Sequence, residues 1–560
     1  MTVSRRLPLL LAACATLALA GACGLFRGFA EGPATAFTRL PAAPDRRWLG
    51  AARFTYDDFG GVNTDALETS AIPWKVASTA LVLQRVDSNG AALSLATLNQ
   101  ALGEFGFIVP TSIANWPAGP APRAFEQPLG IVTGYAGRSF LPLRYKVQIA
   151  NLGCAACHAG VTYDARGMPR RDVWLGLPNT SIDLEAFSWG LYRALQRETR
   201  DPSRLLAAVR QLYPETDSLE IETIRVLLLP RITRRLRQLE STIAAPAPHP
   251  NGSPGMTNGV GALKRQMHVL RPGSVQSEVG FNSIPELGDV VLRSSLLSDG
   301  AYAPLGATRF QPLSRASVTD AHIADLAGIV AFFTVPAMGN PPDRAEREIP
   351  KVVDALQFLR EYEAPRFPGP IDSSLAREGR EVYRARCAVC HGTYDESLTH
   401  PRLLTFPNRL VPQAEIGSDR ARLAVQDTAL LRALLRSAYR RHVAVAGTGG
   451  YVAPRLSGLW ATAPYLHNGS VPTLWHLMHP ESRPTRFYVG GHRLDLDLVG
   501  IAGSPNSDGT WQYPRDYVPW SHPYLYDTER PGRGNRGHER EFSALSEQEK
   551  RVLLEFLKLL

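Results

Sequence analysis

The sequence predicts a mainly α protein built from two similar units, the first of which is enlarged by long loop and helix insertions. The chain has 560 residues, which is too many for one ordinary core. One short motif occurs twice, at residues 154–158 and 387–391, and apolar residues recur at helical spacing around both copies. Hydrophobic residues make up 44% and charged residues 20%, as in globular proteins, so a disordered or fibrous chain is excluded.

The second unit has the clearer pattern. Ser374 to Arg386 is predicted to form an entry helix that ends at the second copy of the motif. Ser546 opens a capping box, and an apolar stripe then runs to Leu560 at the end of the chain. We expect this closing helix to pack on the entry helix, and we assign residues 372–560 to this unit.

The first unit, residues 23–335, is less regular. Tyr145 to Ala150 alternates like a strand, so no entry helix precedes the first motif. Helices are predicted at Ile182 to Glu198, at Arg204 to Leu212 and from Thr319 onward, and Ala244 to Gly261 is predicted to be a loop near the site. The proline-rich stretch 336–371, around one short helix at Val352 to Glu363, is predicted to be the interdomain linker.

The N-terminus has the features of an export signal. Residues 1–22 combine two arginines, an apolar run and the small residues Ala20-Gly21-Ala22, so we predict a signal peptide and a periplasmic or secreted protein. Cys23 follows directly, which leaves a lipid anchor and free release both open. The formal charge of +9 is spread along the chain without a basic block containing aromatic residues, so we expect no nucleic-acid partner.

The repeated motif carries the chemistry. It reads Cys154-Ala-Ala-Cys157-His158 and Cys387-Ala-Val-Cys390-His391. C-x-x-C-H is the attachment site for c-type haem: the two cysteines form thioether bonds to the porphyrin, and the following histidine binds the iron. A disulfide or a zinc knuckle would not require a histidine directly after both cysteine pairs. We therefore predict two covalently bound haem c groups, and the predicted fold becomes two cytochrome c-like haem domains.

A third segment points to a family. Ala463-Pro-Tyr-Leu-His467-Asn-Gly-Ser-Val-Pro-Thr-Leu474 resembles the signature of bacterial di-haem cytochrome c peroxidases and of the related methylamine-utilisation enzyme. Within that superfamily the chain most resembles the branch that contains the haem rubber oxygenase. The segments that carry this second resemblance are Asn151 to His158, Tyr465 to Leu474, Arg486 to Gly490 and Gly534 to His538.

The resemblance implies two haems with unequal roles. His158 would bind the reactive iron, whose sixth position stays exchangeable, and His391 would bind the iron that transfers electrons. A histidine near the C-terminus closes a bis-histidine site in the oxygenase branch, and His538 matches that place. Met478 is the alternative suggested by standard peroxidases, and His467 is expected to bond to a propionate or to the backbone. The other candidates near the second haem are His476, His479, His492 and His522.

Two functions remain open at this point. One is a redox enzyme that uses peroxide or dioxygen and exchanges electrons with a small redox protein. If it uses dioxygen, its other substrate would be a hydrophobic organic compound. The other is a pure electron carrier with both irons six-coordinate. Size favours the enzyme, because a carrier needs only about 100 residues per haem. Trp460 and Trp475 flank the signature and are predicted to lie near the second haem, while His249, His322 and His400 are expected to be surface or structural residues.

Overall fold

The computed structural model describes residues 29–31, 45–57, 72–122, 125–138, 144–242, 250–270 and 279–560. The predicted signal peptide, Cys23 and His249 lie outside the described residues.

Helices occur throughout both halves of the chain. Those of the first half are Arg46–Tyr56, Trp74–Asn89, Leu95–Glu104, Cys154–Cys157, Leu184–Glu198, Pro202–Leu212, Ser218–Thr223, Leu229–Thr242, Gly259–Gln266, Asp320–Ala337 and Pro342–Arg360. Those of the second half are Ser373–Arg386, Ala388–His391, Gln413–Ile416, Ala421–Ala424, Thr428–Leu435, Leu474–Met478, Glu539–Ser543 and Glu547–Leu557. A π turn, Ile224–Leu228, joins two of the first set.

The strands form small sheets rather than one large one. In one four-stranded sheet the strands lie in the order Phe29–Glu31, Ile131–Arg138, Tyr145–Leu152 and Ile72–Pro73. In the other four-stranded sheet the order is Ser504–Pro505, Trp511–Gln512, Arg486–Val489 and Tyr524–Asp527. One three-stranded sheet has the order Ser112–Ile113, Pro169–Leu175 and Ala159–Tyr163. The other has the order Leu313–Ser314, Leu403–Phe406 and Thr393–Tyr394. The two-stranded pairs are Tyr302–Pro304 with Val443–Val445, Leu410–Pro412 with Gly450–Val452, Leu494–Asp495 with Gly500–Ile501, and Met256–Thr257 with Asn282–Ser283.

The predicted fold class, mainly α with two cytochrome c-like haem domains of which the first is enlarged by long loop and helix insertions, is wrong. Helices account for 43% of the described residues and strands for 16%, distributed over many small sheets. Most of these strands have two to four residues, which is too short for a period-two pattern to stand out from its surroundings. The longest pair, Ile131–Arg138 and Tyr145–Leu152, is antiparallel and leads directly into the first Cys motif.

The entry helix and the closing helix pack against each other, as the sequence predicts. The entry helix is Ser373–Arg386, and the Tyr383 ring lies 5.2 Å from the Phe556 ring of the closing helix Glu547–Leu557. Ser546 and Glu549 form the predicted capping box. One continuous buried cluster includes residues from both halves, from Ala51 to Leu560, so the second Cys motif is held by a core that the first half shares.

The stretch expected to be a linker contains a long packed helix instead of a short one. Pro342–Arg360 buries Val352, Leu356 and Phe358 and lies between helices Arg46–Tyr56 and Asp320–Ala337. Within the described part of the chain, Asp320–Ala337 is the one helix long and apolar enough, by length and composition, to cross a membrane. Half of it is buried inside the protein, against helices that include Pro342–Arg360 and Gly259–Gln266.

The contact between the entry and closing helices depends on a glycine. A Cβ atom at Gly379 would collide with the backbone carbonyl of Val552, and backbone cannot move aside cheaply. Gly379→Ala should therefore destabilise the protein by about 1–3 kcal/mol, the usual cost of overpacking. Thermal or denaturant unfolding of the purified variant measures this.

Gly328 is the matched control, because it is also helical and a Cβ there would meet nothing within 4 Å. Gly328→Ala should leave stability unchanged or raise it by about 0.5–1 kcal/mol. Equal stability of the two variants would contradict the close helix crossing at Gly379.

Candidate haem-binding sites

The first cysteine pair lies on a one-turn helix, Cys154–Cys157, directly after the strand Tyr145–Leu152. Side chains three residues apart on a helix share a face, so both sulfur atoms are presented to one side. Both cysteines are free. Burial raises the pKa of each thiol to about 12, so the pair is held as neutral thiols.

Asn179 fixes this turn and was not foreseen from the sequence. Its backbone N–H donates to the Cys157 carbonyl at 2.7 Å, and its side-chain Nδ2 donates to the Ala156 carbonyl at 3.2 Å and to the Gly106 carbonyl at 2.9 Å. Asn179 is 2% exposed, so these bonds are shielded from water. The motif is therefore anchored to the loop that precedes helix Leu184–Glu198.

His158 is oriented by a backbone carbonyl. Its Nδ1 lies 3.0 Å from the carbonyl oxygen of Pro285. A carbonyl oxygen only accepts, so Nδ1 must carry the proton, and Nε2 keeps a free lone pair that can bind a metal. Burial lowers the pKa of His158 to about 4, which keeps the imidazole neutral. This is the protonation state that an iron ligand needs.

The second motif is built in the same way. Cys387 ends the entry helix, and Ala388–His391 forms the next turn. His391 Nδ1 donates to the Pro454 carbonyl at 2.7 Å, and burial lowers the pKa of His391. Each motif histidine is thus held by a proline carbonyl, with Nε2 free. Neither Pro285 nor Pro454 was singled out by the sequence analysis.

The two prolines stand at equivalent positions of an internal repeat that relates residues 281–305 to residues 450–474. Corresponding residues are separated by the same 169 positions and share left-handed backbone conformations. The left-handed pairs are Asp289 (φ 55°) with Gly458 (φ 67°), Leu297 (φ 72°) with Leu466 (φ 68°), and Gly300 (φ 62°) with Gly469 (φ 64°). Such values are uncommon outside glycine, so their recurrence indicates that the two loops have one shape.

The repeated loops also pair reciprocally across the two halves. The Ser283 N–H donates to the His467 carbonyl at 2.6 Å, and the Val452 N–H donates to the Ser298 carbonyl at 2.7 Å. Ser283 lies two residues before Pro285, and Val452 lies two residues before Pro454. The second half therefore supports the segment that holds His158, and the first half supports the segment that holds His391.

His538 lies opposite His391. Their rings are inclined by only 25°, with centroids 6.3 Å apart. If each imidazole bound one metal through a bond of about 2.0 Å, with the ring nitrogen about 1.1 Å from its centroid, the centroids would lie about 6.2 Å apart. Burial and the neighbouring His391 lower the pKa of His538 to about 3, so it is neutral. Within the described residues, His158 has no second imidazole at a comparable ring distance.

The loop that carries His538 is clamped by Arg483. Its guanidinium donates to the carbonyls of Asn535 at 2.6 Å and Gly537 at 2.9 Å, and it also pairs with the Glu539 carboxylate at 3.2 Å. The Arg483 side chain is 3% exposed. A guanidinium fork with several fixed acceptors holds geometry better than a single bond would. Arg483 therefore holds the backbone on the N-terminal side of His538 in place.

The alternatives to His538 have other partners. Met478 is 1% exposed and belongs to the apolar core. His467 stacks on Tyr451 at 4.4 Å, with its Nε2 3.2 Å from the Tyr451 hydroxyl. Burial, together with the Arg422 charge, lowers the pKa of His467 to about 3.

The remaining candidate histidines make local contacts. The His476 ring bonds to Thr473 at 2.7 Å, and the His492 ring lies 3.3 Å from the Tyr163 hydroxyl. The His479 ring stacks on Trp475 at 4.2 Å and bonds to Glu547 at 2.9 Å. For His522, the backbone N–H donates to the backbone carbonyl of Glu104 at 2.9 Å. His322 bonds to the Val291 carbonyl at 2.8 Å, and burial lowers the pKa of His400. Trp460 contacts Phe367 and Tyr163, so it reaches the strand that follows the first motif.

The donor set suits haem c better than a bare metal ion. Among the residues that the structure describes, no group of three or more His, Cys, Asp or Glu side chains could hold a metal ion. A structural zinc site needs four such ligands. Two partly buried thiols followed by one neutral, oriented imidazole are what a porphyrin with two attachment points requires.

A family model matches the second half at this place. Residues 450–488 match the family described as RoxA-like, cytochrome c-like. The matched segment contains Pro454 and the repeated loop with His467. The match supports a haem-binding cytochrome and a coarse relation to the RoxA and cytochrome c family.

Two curated relatives come from Sinorhizobium fredii. The chain is 29% identical over 236 residues to "Uncharacterized protein y4iM", a match that covers 37% of this chain and 50% of the relative. It is 29% identical over 262 residues to "Uncharacterized protein y4iJ", which covers 35% of this chain and 41% of the relative. The chain thus spans half or less of the length of these relatives.

Proposed function

We propose that the protein is an exported c-type cytochrome with two covalently bound haems and that it acts as a redox enzyme on peroxide or dioxygen. The proposal rests on one arrangement that occurs twice. Each C-x-x-C-H motif has a histidine whose Nδ1–H bonds to a proline carbonyl, and the two prolines occupy equivalent positions of the internal repeat. Haem c supplies one-electron redox chemistry and an iron that accepts two axial ligands.

The two sites are unequal in their axial donors. His391 has a second neutral imidazole, His538, beside it, and the 6.3 Å between the ring centroids is close to the distance expected for two imidazoles bound to one metal. No such ring pairs with His158 within the described residues. We therefore assign electron transfer to the His391 and His538 side, and reaction with peroxide or dioxygen to the His158 side. This is the division of roles that a resemblance to the di-haem peroxidases and the haem rubber oxygenase implies.

The partners follow from these roles. A small redox protein would supply or accept electrons, and an oxygenase of this kind would act on a hydrophobic organic substrate. Haem attachment outside the cytoplasm agrees with the predicted N-terminal export signal, through which the protein would reach the periplasm or the medium, either free or anchored by a lipid on Cys23.

The stoichiometry of attachment tests the proposal first. The mass of the denatured holoprotein should exceed that of the processed polypeptide by two haem groups, and haem colour should remain after denaturation, because thioether bonds survive unfolding. An excess of one haem or of none would contradict the di-haem proposal.

Arg483 should act as a positioning residue for His538. Groups that orient a metal ligand typically contribute about 10–100-fold in affinity. Replacement of Arg483 by Gln should weaken the binding of His538 to the sixth position of the iron by about that factor. The measurement is the loss of low-spin absorption and electron paramagnetic resonance signals at unchanged haem content.

Arg483→Lys should restore the low-spin signal in part, because it retains the charge but loses the fork. The control is Arg486→Gln, which removes an exposed arginine that pairs with Asp508 at 3.1 Å. A full low-spin signal in Arg483→Gln would show that the loop does not need this clamp.

A further inference from the structure

The residues that follow the two histidine-holding prolines meet each other. Glu286 follows Pro285 and Arg455 follows Pro454, so they occupy equivalent positions of the repeat. The Arg455 guanidinium donates from Nη2 to the Glu286 carbonyl at 2.9 Å and from Nε to the Gly288 carbonyl at 2.7 Å. A side chain from the turn that holds His391 therefore fixes the backbone of the turn that holds His158.

A second contact joins the same two turns. The Ser457 hydroxyl donates to Asp289 Oδ2 at 2.6 Å, and the other oxygen of that carboxylate pairs with Arg315. Glu286 and Asp289 are 8% and 5% exposed. The Glu286 carboxylate also accepts the Gly288 N–H at 2.6 Å. The turns are thus tied by buried, charge-assisted bonds, which are stronger than neutral ones.

The charged side chains where the two turns meet are buried close to Pro285 and Pro454, the prolines that hold the motif histidines. The groups that face Glu286 are Arg455 and Tyr394 from the second half, Asp289 from its own turn, and Tyr362, which follows helix Pro342–Arg360. The two turns hold the two motif histidines through Pro285 and Pro454, so a charge at this junction lies next to both supports. Charges interact more strongly in such a buried region than in water.

We propose that Glu286 and Arg455 form a bridge that sets the reduction potentials of both haem sites together and couples their reduction to proton uptake by the Glu286 carboxylate. The inference rests on the proposed di-haem function. A reduced iron carries one positive charge less than an oxidised one, so a nearby cation favours reduction and a nearby anion opposes it. Arg455 should therefore raise both potentials, and ionised Glu286 should lower both.

The buried Glu286 carboxyl determines the pH range in which the reduction potentials should change. Burial raises the pKa of Glu286 to about 8, against the opposing effect of Arg455. Reduction removes positive charge and raises that pKa further, so the carboxylate takes a proton from solvent as the electron arrives. The potentials should fall as pH rises through the region around 8, in line with linkage between proton and electron binding.

The test is a spectroelectrochemical titration of the holoprotein. Glu286→Gln should raise both midpoint potentials at high pH, and Arg455→Gln should lower both, each by about a tenfold change in the reduction equilibrium, which is 59 mV for one electron. Glu286→Gln should also remove the pH dependence around 8. If Arg455→Gln does not fold, Arg455→Lys, which keeps the charge, should retain the wild-type midpoints and serve as the comparison for Glu286→Gln.

Arg309→Gln is the matched control. Arg309 also joins the two halves through backbone carbonyls, those of Ala301 at 2.6 Å and Ala444 at 3.0 Å, but neither belongs to a histidine-holding turn. Its replacement should shift neither midpoint. Shifts confined to one haem, or pH dependence that survives in Glu286→Gln, would overturn the bridge while the haem stoichiometry still supports the proposed function. A preparation with fewer than two haems would instead refute the proposed function itself.

Discussion

Cys154→Ala/Cys157→Ala protein should carry one haem per chain and bind neither cyanide nor carbon monoxide. Thioether attachment needs the two thiols that the Cys154–Cys157 turn presents to one side, and their removal leaves His158 with no attached porphyrin. In the proposed arrangement, His391 and His538 occupy both axial positions of the remaining site. Turnover of peroxide, or of a substrate that consumes dioxygen, should fall to background, because the exchangeable position is lost with the first haem. Ligand titration by absorption spectroscopy measures the loss.

The reciprocal variant is the control. Cys387→Ala/Cys390→Ala protein should also carry one haem, but it should lose the low-spin signal and still bind one exogenous ligand per chain. If the Cys154→Ala/Cys157→Ala protein kept its affinity for cyanide, the reactive position would belong to the His391 side, and the proposed division of roles would be reversed.

His538→Ala should open the second site without loss of either haem. In the proposed arrangement, the covalent bonds depend on Cys387 and Cys390, whereas the sixth position depends on the His538 ring, whose centroid lies 6.3 Å from that of His391. The number of exogenous ligands bound per chain should rise from one to two, and the low-spin signal should give way to a high-spin one. The change should be close to complete, because a truncated side chain leaves no donor at that position.

His479→Ala is the matched substitution, since His479 is a histidine of the same half that stacks on Trp475 and bonds to Glu547 instead. It should keep the low-spin signal. An unchanged low-spin spectrum in His538→Ala would transfer the ligand to Met478 or His467.

The long periodic helices could be predicted from the sequence, and the sheets could not. The entry and closing helices each repeat their apolar residues over several turns, so their existence and their mutual packing were predicted correctly. Strands such as Leu403–Phe406 and Leu410–Pro412 are too short to show alternation, and they form only because distant segments complete their hydrogen bonds. The helix Pro342–Arg360 was underestimated because Pro342 and Pro350 were interpreted as breaks. Pro342 instead suits the first helical turn, and Pro350 is accommodated inside the helix.

The haem prediction for the two motifs could be made from the sequence because the cysteines and histidines are contiguous, and for both motifs it stays a prediction. The groups that orient the histidines could not be predicted in this way, because Pro285 lies 127 positions from His158 and Pro454 lies 63 from His391, and each acts through a backbone carbonyl that any residue possesses. A signal was available nonetheless. The shared spacing of Pro285, Leu297 and Gly300 with Pro454, Leu466 and Gly469 identifies the repeat, and the repeat identifies both prolines.

An electron paramagnetic resonance spectrum of the oxidised holoprotein tests the central claim most directly, because it counts high-spin and low-spin irons. We expect one of each: a high-spin or exchangeable iron held by His158, and a low-spin iron held between His391 and His538. Two low-spin irons that bind no exogenous ligand even after reduction would contradict the enzyme and leave an electron-transfer cytochrome.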